Sequence, residues 1–121
     1  MSEHDLQRAV ARYLDYALRE TQAVWFAVPN GGARNVNVAR KLRAEGVKPG
    51  VADIVLVWQG RAIGIELKTQ KGRQSTAQKE WAEAFTLAGG VYHVCRSVDA
   101  VADILIAMGL PIRARLKAMA A

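Results

Sequence analysis

Cysteine and histidine are almost missing from this chain, with one Cys and two His in 121 residues. Cys95 alone cannot close an internal disulfide, and its apolar, strand-like surroundings mark it as a buried small hydrophobe. No Cys/His cluster exists to hold zinc. His93 reads as a packed histidine, and His4 is of interest only as the neighbour of Glu3. No long apolar run and no signal-peptide pattern occurs, so a soluble cytoplasmic protein without a membrane partner is expected. Repeats, low-complexity segments and linkers are missing too, and one domain over residues 1–121 is expected. Hydrophobic residues make up 51% of the chain, which argues against disorder. Acid is in short supply: 17 Lys and Arg against 11 Asp and Glu give +6. That balance favours a polyanionic partner such as nucleic acid, although many small domains are basic for no specific reason.

Apolar periodicity and stop signals predict an α-β-α-β-β-α-β-α order. A first helix over Glu3 to Arg19 carries the stripe Leu6, Val10, Tyr13, Leu14 and Ala17. Glu3 and Gln7 continue that stripe at its N-terminal end. Glu3 either meets a partner such as a metal or a held water, or lies in a frayed first turn that favours the helix dipole. A strand at Val24–Val28 runs into Pro29-Asn30-Gly31-Gly32, near Arg34 and Asn35. These residues suit a plain surface turn or a phosphate cradle. A helix over Asn37–Glu45 bears Arg40, Lys41 and Arg43, stopped by Gly46. Its basic face is either solvated or lines a DNA path. Lys71 and Arg73 make a second basic loop. Ser75 and Gln78 then form a capping box. Gln78 also lies on the stripe of Trp81, Ala82 and Phe85, so it either serves the cap alone or both caps this helix and points at a candidate site. Gly89-Gly90 ends the helix, Val91–Cys95 is a strand, and Ser97–Met108 a closing amphipathic helix. The basic tail Pro111–Arg115 suits DNA or a second subunit.

The segment after Gly50-Val51-Ala52-Asp53 carries the chemistry. A reversal at Gln59-Gly60 pairs Trp58 with Arg61, Val57 with Ala62, and Asp53 with Glu66. A three-residue loop would instead shift the register by one and separate the acids. In the two-residue register one face carries Asp53, Glu66 and Lys68, beside Gly64 and Ala62. The other carries Ile54, Leu56, Trp58, Ile63, Ile65 and Leu67 as core. Opposed carboxylates stand about 5 Å apart and repel. A hairpin that accepts this repulsion is expected to hold a divalent cation, Mg²⁺ or Mn²⁺, on hard oxygen ligands. The competing reading is that both acids are ordinary strand-end charges.

An Asp, a strand and turn, then Glu-x-Lys resembles the PD-(D/E)xK nuclease signature. The surroundings resemble one branch of it, the virus-type replication-repair nuclease (VRR-NUC) domain. The matching residues are Glu3 and Gln7, Gly50 to Asp53, Glu66 to Lys68, the turn Gly72-Arg73-Gln74-Ser75, and Gln78. They span about Glu3 to Asp103. Ala52 stands where the family commonly has proline, a position that ligates nothing.

The resemblance implies an α/β fold with a small mixed central sheet flanked by helices. It implies a metal-dependent DNA endonuclease leaving a 5′-phosphate. Asp53, Glu66, the Leu67 carbonyl and Glu3, direct or through water, would be metal ligands. Lys68 would position the attacking water and offset developing charge, and Gln78 and Gln7 would orient ligands or water. Stand-alone members resemble Holliday-junction resolvases and tend to be homodimers, which suits paired cuts in branched DNA. Arg34, Arg40, Lys41, Lys71 and Arg73 are the candidate nucleic-acid contacts. The rivals are a non-catalytic DNA-binding module, against which Asp53, Glu66 and Lys68 argue, and a restriction-type nuclease, for which the chain has no recognition extension. RNA as substrate is left open.

Overall fold

The computed structural model describes residues 1–29 and 35–112. The expectations for Asn30 to Arg34 and for Arg113 to Arg115 lie outside them. The elements follow the order α1 (Glu3–Ala17), β1 (Val24–Ala27), α2 (Val36–Ala44), β2 (Ile54–Trp58), β3 (Arg61–Leu67), α3 (Thr76–Leu87), β4 (Val91–Cys95) and α4 (Val98–Ala107). This is the expected sequence of elements, with several ends trimmed and α2 shifted one residue towards the N-terminus. α1 stops at Ala17 rather than Arg19 because Leu18 caps it, and Thr21 turns back to donate from both its N–H and its hydroxyl to the Leu18 carbonyl.

The four strands lie in the order β1-β2-β3-β4. β1 and β2, and β2 and β3, run antiparallel, whereas β3 and β4 are parallel and joined through α3. The β2–β3 register is the expected one, with Trp58 opposite Arg61 and Ile54 opposite Ile65. Gln59 and Gly60 have φ of 49° and 77°, the positive values of a two-residue hairpin turn matched to strand twist.

One sheet face packs against α1 and α4. Ile54, Leu56, Ile63, Ile65 and Leu67 meet Leu6, Val10 and Leu14 of α1, and Val101 and Leu105 of α4, in one core. On the opposite face α3 lies close, and two glycines make room for it. A Cβ on Gly64 would stand 3.2 Å from the Phe85 ring and 3.5 Å from Trp81. A Cβ on Gly50 would stand 2.2 Å from the Ala77 carbonyl oxygen, so the first turn of α3 rests on the backbone just ahead of β2. Among the described residues no helix is long and apolar enough to cross a membrane.

Candidate active site

The α3-facing side of β3 carries a buried ionisable pair. Glu66 is 1% exposed and Lys68 7%. Alternation along the strand puts both on the Gly64 face, away from the aliphatic core. Lys68 Nζ lies 3.5 Å from Glu66 Oε2. Gln78 Nε2 donates to the same oxygen at 3.0 Å. Gln78 Oε1 meanwhile accepts from the Ser75 N–H at 2.8 Å, closing the capping box. The two expected roles of Gln78 are thus filled by the two ends of one amide. Gly50 makes this possible, because its missing side chain lets the start of α3 approach.

Asp53 departs slightly from expectation. The β2–β3 ladder ends at Ile54 opposite Ile65, so Asp53 sits one residue beyond it rather than in a ladder pair with Glu66. Its carbonyl accepts from the Val28 N–H, and its Oδ2 accepts from the Leu67 N–H at 2.7 Å. The carboxylate thereby bonds a strand amide past the end of the ladder and stays beside Glu66.

Burial, and then the nearby Asp53 charge, push the Glu66 carboxyl up to about 8, with Lys68 pulling the other way. Glu66 Oε1 is buried and accepts no hydrogen bond. A buried carboxylate oxygen without a partner is costly unless a proton or a cation meets it. The donor set of Asp53 and Glu66 is hard oxygen, which fits a divalent cation such as Mg²⁺.

Among the described residues no three His, Cys, Asp or Glu side chains gather closely enough to hold a metal. The acids that come together are therefore Asp53 and Glu66. Glu3 is exposed in the first turn of α1, not turned into the core. Its Oε2 lies 3.4 Å from where a Cβ on Gly72 would stand, as does Lys68 Cδ, so Glu3 borders the site across this glycine. Gln7 is half-buried and bonds neither acid. Arg40 and Lys41 on α2, and Lys71 and Arg73 in the loop after β3, are exposed.

Tyr92 and Gln74 were not anticipated. Tyr92 pairs with Gly64 across the parallel ladder, and Gln74 Nε2 donates to its hydroxyl at 3.0 Å. Burial pushes the Tyr92 phenol up to about 12, and the charges of Glu66 and Asp53 add to this against the Gln74 bond. Nothing in the sequence set the register of β4 on β3.

The comparisons speak to the family and the fold. The VRR-NUC domain model matches residues 1–99. A solved structure described as a VRR_NUC domain protein superposes with a TM-score of 0.69 at 21% identity, covering 88% of this chain and 87% of that one. A second, described as a VRR_NUC domain, gives 0.59 at 18% identity, covering 90% and 99%. Both show the fold. No curated protein matches. The Asp53 and Glu66-x-Lys68 constellation, on a mixed four-stranded sheet with helices on both faces, is thus set in a chain that belongs to the VRR-NUC family of nuclease domains.

Proposed function

We propose that this chain is a metal-dependent DNA endonuclease selective for branched DNA. The observation that carries the reading is Glu66, buried beside Asp53 with one oxygen unpartnered and Lys68 Nζ 3.5 Å from the other. Asp53, Glu66 and the Leu67 carbonyl would hold Mg²⁺ or Mn²⁺, with Glu3 reached through water. When bound, such an ion supplies an activated water and offsets charge on the phosphoryl oxygens.

The chain's own residues do the rest. Glu66 would hold the cation as a carboxylate, its proton passing to solvent water, and Gln78 holds that carboxyl group by one oxygen. The Leu67 N–H fixes Asp53 by its Oδ2, leaving the rest of that carboxylate for the ion. Lys68 brings a positive charge on a stem walled in by the loop, so it orients the attacking water and stabilises the developing charge. Arg40, Lys41, Lys71 and Arg73 meet the phosphate backbone. Two copies related by a two-fold axis would suit paired cuts in a four-way junction. This reading puts the protein with its DNA in the cytoplasm of a bacterial or phage-infected cell.

One assay tests it. Linear, flap, splayed and four-way DNA, with an RNA duplex beside them, are incubated with the protein in Mg²⁺, Mn²⁺ or excess EDTA. The four-way substrate is expected to be cut fastest, and only with metal. Cleavage that persists in EDTA would exclude metal catalysis. Equal cutting of all DNA forms would remove the branch selectivity, and light scattering during size-exclusion chromatography decides the dimer.

A further inference from the structure

Arg96 follows the last residue of β4, and Leu67 opposite Cys95 is the last pair of the parallel ladder. Lys68 adds one more step, donating its N–H to the Cys95 carbonyl at 3.0 Å. Arg96 therefore emerges beside Lys68, at the carboxyl ends of two parallel strands, where ligand clefts of α/β sheets lie. Its guanidinium reaches the next turn. Nη1 donates to the carbonyls of Thr69 at 2.5 Å and Gly72 at 2.7 Å, with a longer contact to Gln70 at 3.3 Å.

Thr69 to Gly72 is a tight turn, closed by the Gly72 N–H on the Thr69 carbonyl at 3.1 Å. A Cβ on Gly72 would stand 3.3 Å from the Thr69 hydroxyl and 3.4 Å from both Glu3 Oε2 and Lys68 Cδ, so the turn passes close to the lysine stem. A cavity of about 440 Å³ opens beside the turn, lined by Met1, Leu6, Thr69, Gln70, Lys71 and Arg96. Beside that cavity, charge-assisted bonds from Arg96 to the carbonyls hold the turn.

We propose that Arg96 is a positioning residue that sets Lys68 by clamping the Thr69–Gly72 turn. The clamp holds the turn as a wall, the wall confines the lysine stem, and the stem aims Nζ at the Asp53–Glu66 pair. This inference rests on the reading of Lys68 given above.

The test uses the full chain and reads Lys68 in two ways. First, acylation of lysines by a water-soluble succinimidyl ester is followed by mass spectrometry, with exposed Lys79 as internal reference. Arg96→Met should raise the Lys68 rate about tenfold or more, as expected when charged hydrogen bonds are lost. Arg96→Lys, which keeps charge and donors, should stay near wild type in the cleavage assay below, where no reagent acylates the new amine. Arg96→Gln serves if the Met variant does not fold. Second, single-turnover cleavage is measured in wild-type and Lys68→Ala backgrounds. Arg96→Met should slow the wild type about tenfold and leave the Lys68→Ala rate unchanged, because a residue acting through another loses its effect when that one is gone. Unchanged Lys68 acylation overturns the proposal, whatever the activity. So does an equal rate loss in both backgrounds. If Lys68→Ala itself cuts at the wild-type rate, the catalytic reading of Lys68 falls, and the acylation result still judges Arg96.

Discussion

Two regions of this molecule are built in opposite ways. Around β3 and α3 the elements approach closely: Gly50 admits the Ala77 carbonyl, Gly64 admits the rings of Phe85 and Trp81, and Glu66 and Lys68 are buried. In the segment 35–49, by contrast, no residue is buried. Val36 of α2 is 67% exposed, and Arg40, Lys41, Arg43 and Lys48 all face solvent. A cavity lined by Val28, Pro29, Leu42, Val47 and Val51 lies between this segment and the strands. The first region suits chemistry, which needs charges held to a fraction of an ångström. The second suits a polyanion, which is met by charge rather than by shape.

The contrast is most easily broken at Lys68. Lys68→Ala is expected to lower the cleavage rate on the order of a hundredfold or more while metal binding persists, since it removes stabilisation made in the transition state. Cleavage by the variant at a near wild-type rate would rule out that role.

Next in size is a pair of glycines, one from each region. Both Gly50 and Gly46 have positive φ, of 77° and 103°. Gly46→Ala meets no neighbouring atom and should cost about 1–2 kcal/mol for the backbone alone. Gly50→Ala adds a collision with the Ala77 backbone, so its cost should exceed that of Gly46→Ala by about 1–3 kcal/mol. Urea melts compare them, and equal costs would mean that α3 does not rest on Gly50.

On the exposed side, Arg40→Ala with Lys41→Ala should weaken DNA binding without slowing single-turnover cleavage at saturating protein. The slope of log affinity against log salt should flatten by up to about 2. An unaltered slope would take α2 out of the DNA path.

The smallest effect sharpens the site itself. Below about pH 4.5 Glu66 is protonated whether folded or not; between there and about 8 the folded protein keeps a proton that the unfolded chain gives up. Rising pH therefore erodes metal-free stability across that window, and Glu66→Gln should lessen the slope. Asp53→Asn, whose amide oxygen can still accept from Leu67, should raise metal-free stability by about 0.5–1 kcal/mol. The gain should be larger at pH 9 than at pH 6, where Glu66 is already neutral. The same variant should gain less from Mg²⁺ than wild type does. A variant that melts lower without metal and gains as much from Mg²⁺ would mean that Asp53 is no ligand.

Local information was enough for much of this. The hairpin register follows from a two-residue turn and side-chain parity, and both acids and the lysine follow from the register. The double role of Gln78 was readable because the capping box and the helix stripe coincide on one residue. What stayed hidden depends on the parallel pairing of β3 with β4, which spans the whole of α3 and leaves no local register signal. That pairing brings Tyr92 against Gly64 and Arg96 beside Lys68. Between the two placements open to Glu3, spacing could not choose, because it marks a helix face and not how far the core extends along it; Glu3 is exposed in the first turn.

The amide of Gln78 carries a further consequence. A helix start of this kind accepts Glu as readily as Gln, since either supplies the oxygen that takes the Ser75 N–H. The helix is therefore indifferent to a change of one atom, NH₂ to O, at this position. Glu66 is not, because that atom is the donor it leans on. Gln78→Glu would leave α3 intact while turning a neutral clasp into a third acid facing two others. A local rule of helix design thus permits two residues here, and the charge balance of the neighbouring strand keeps one.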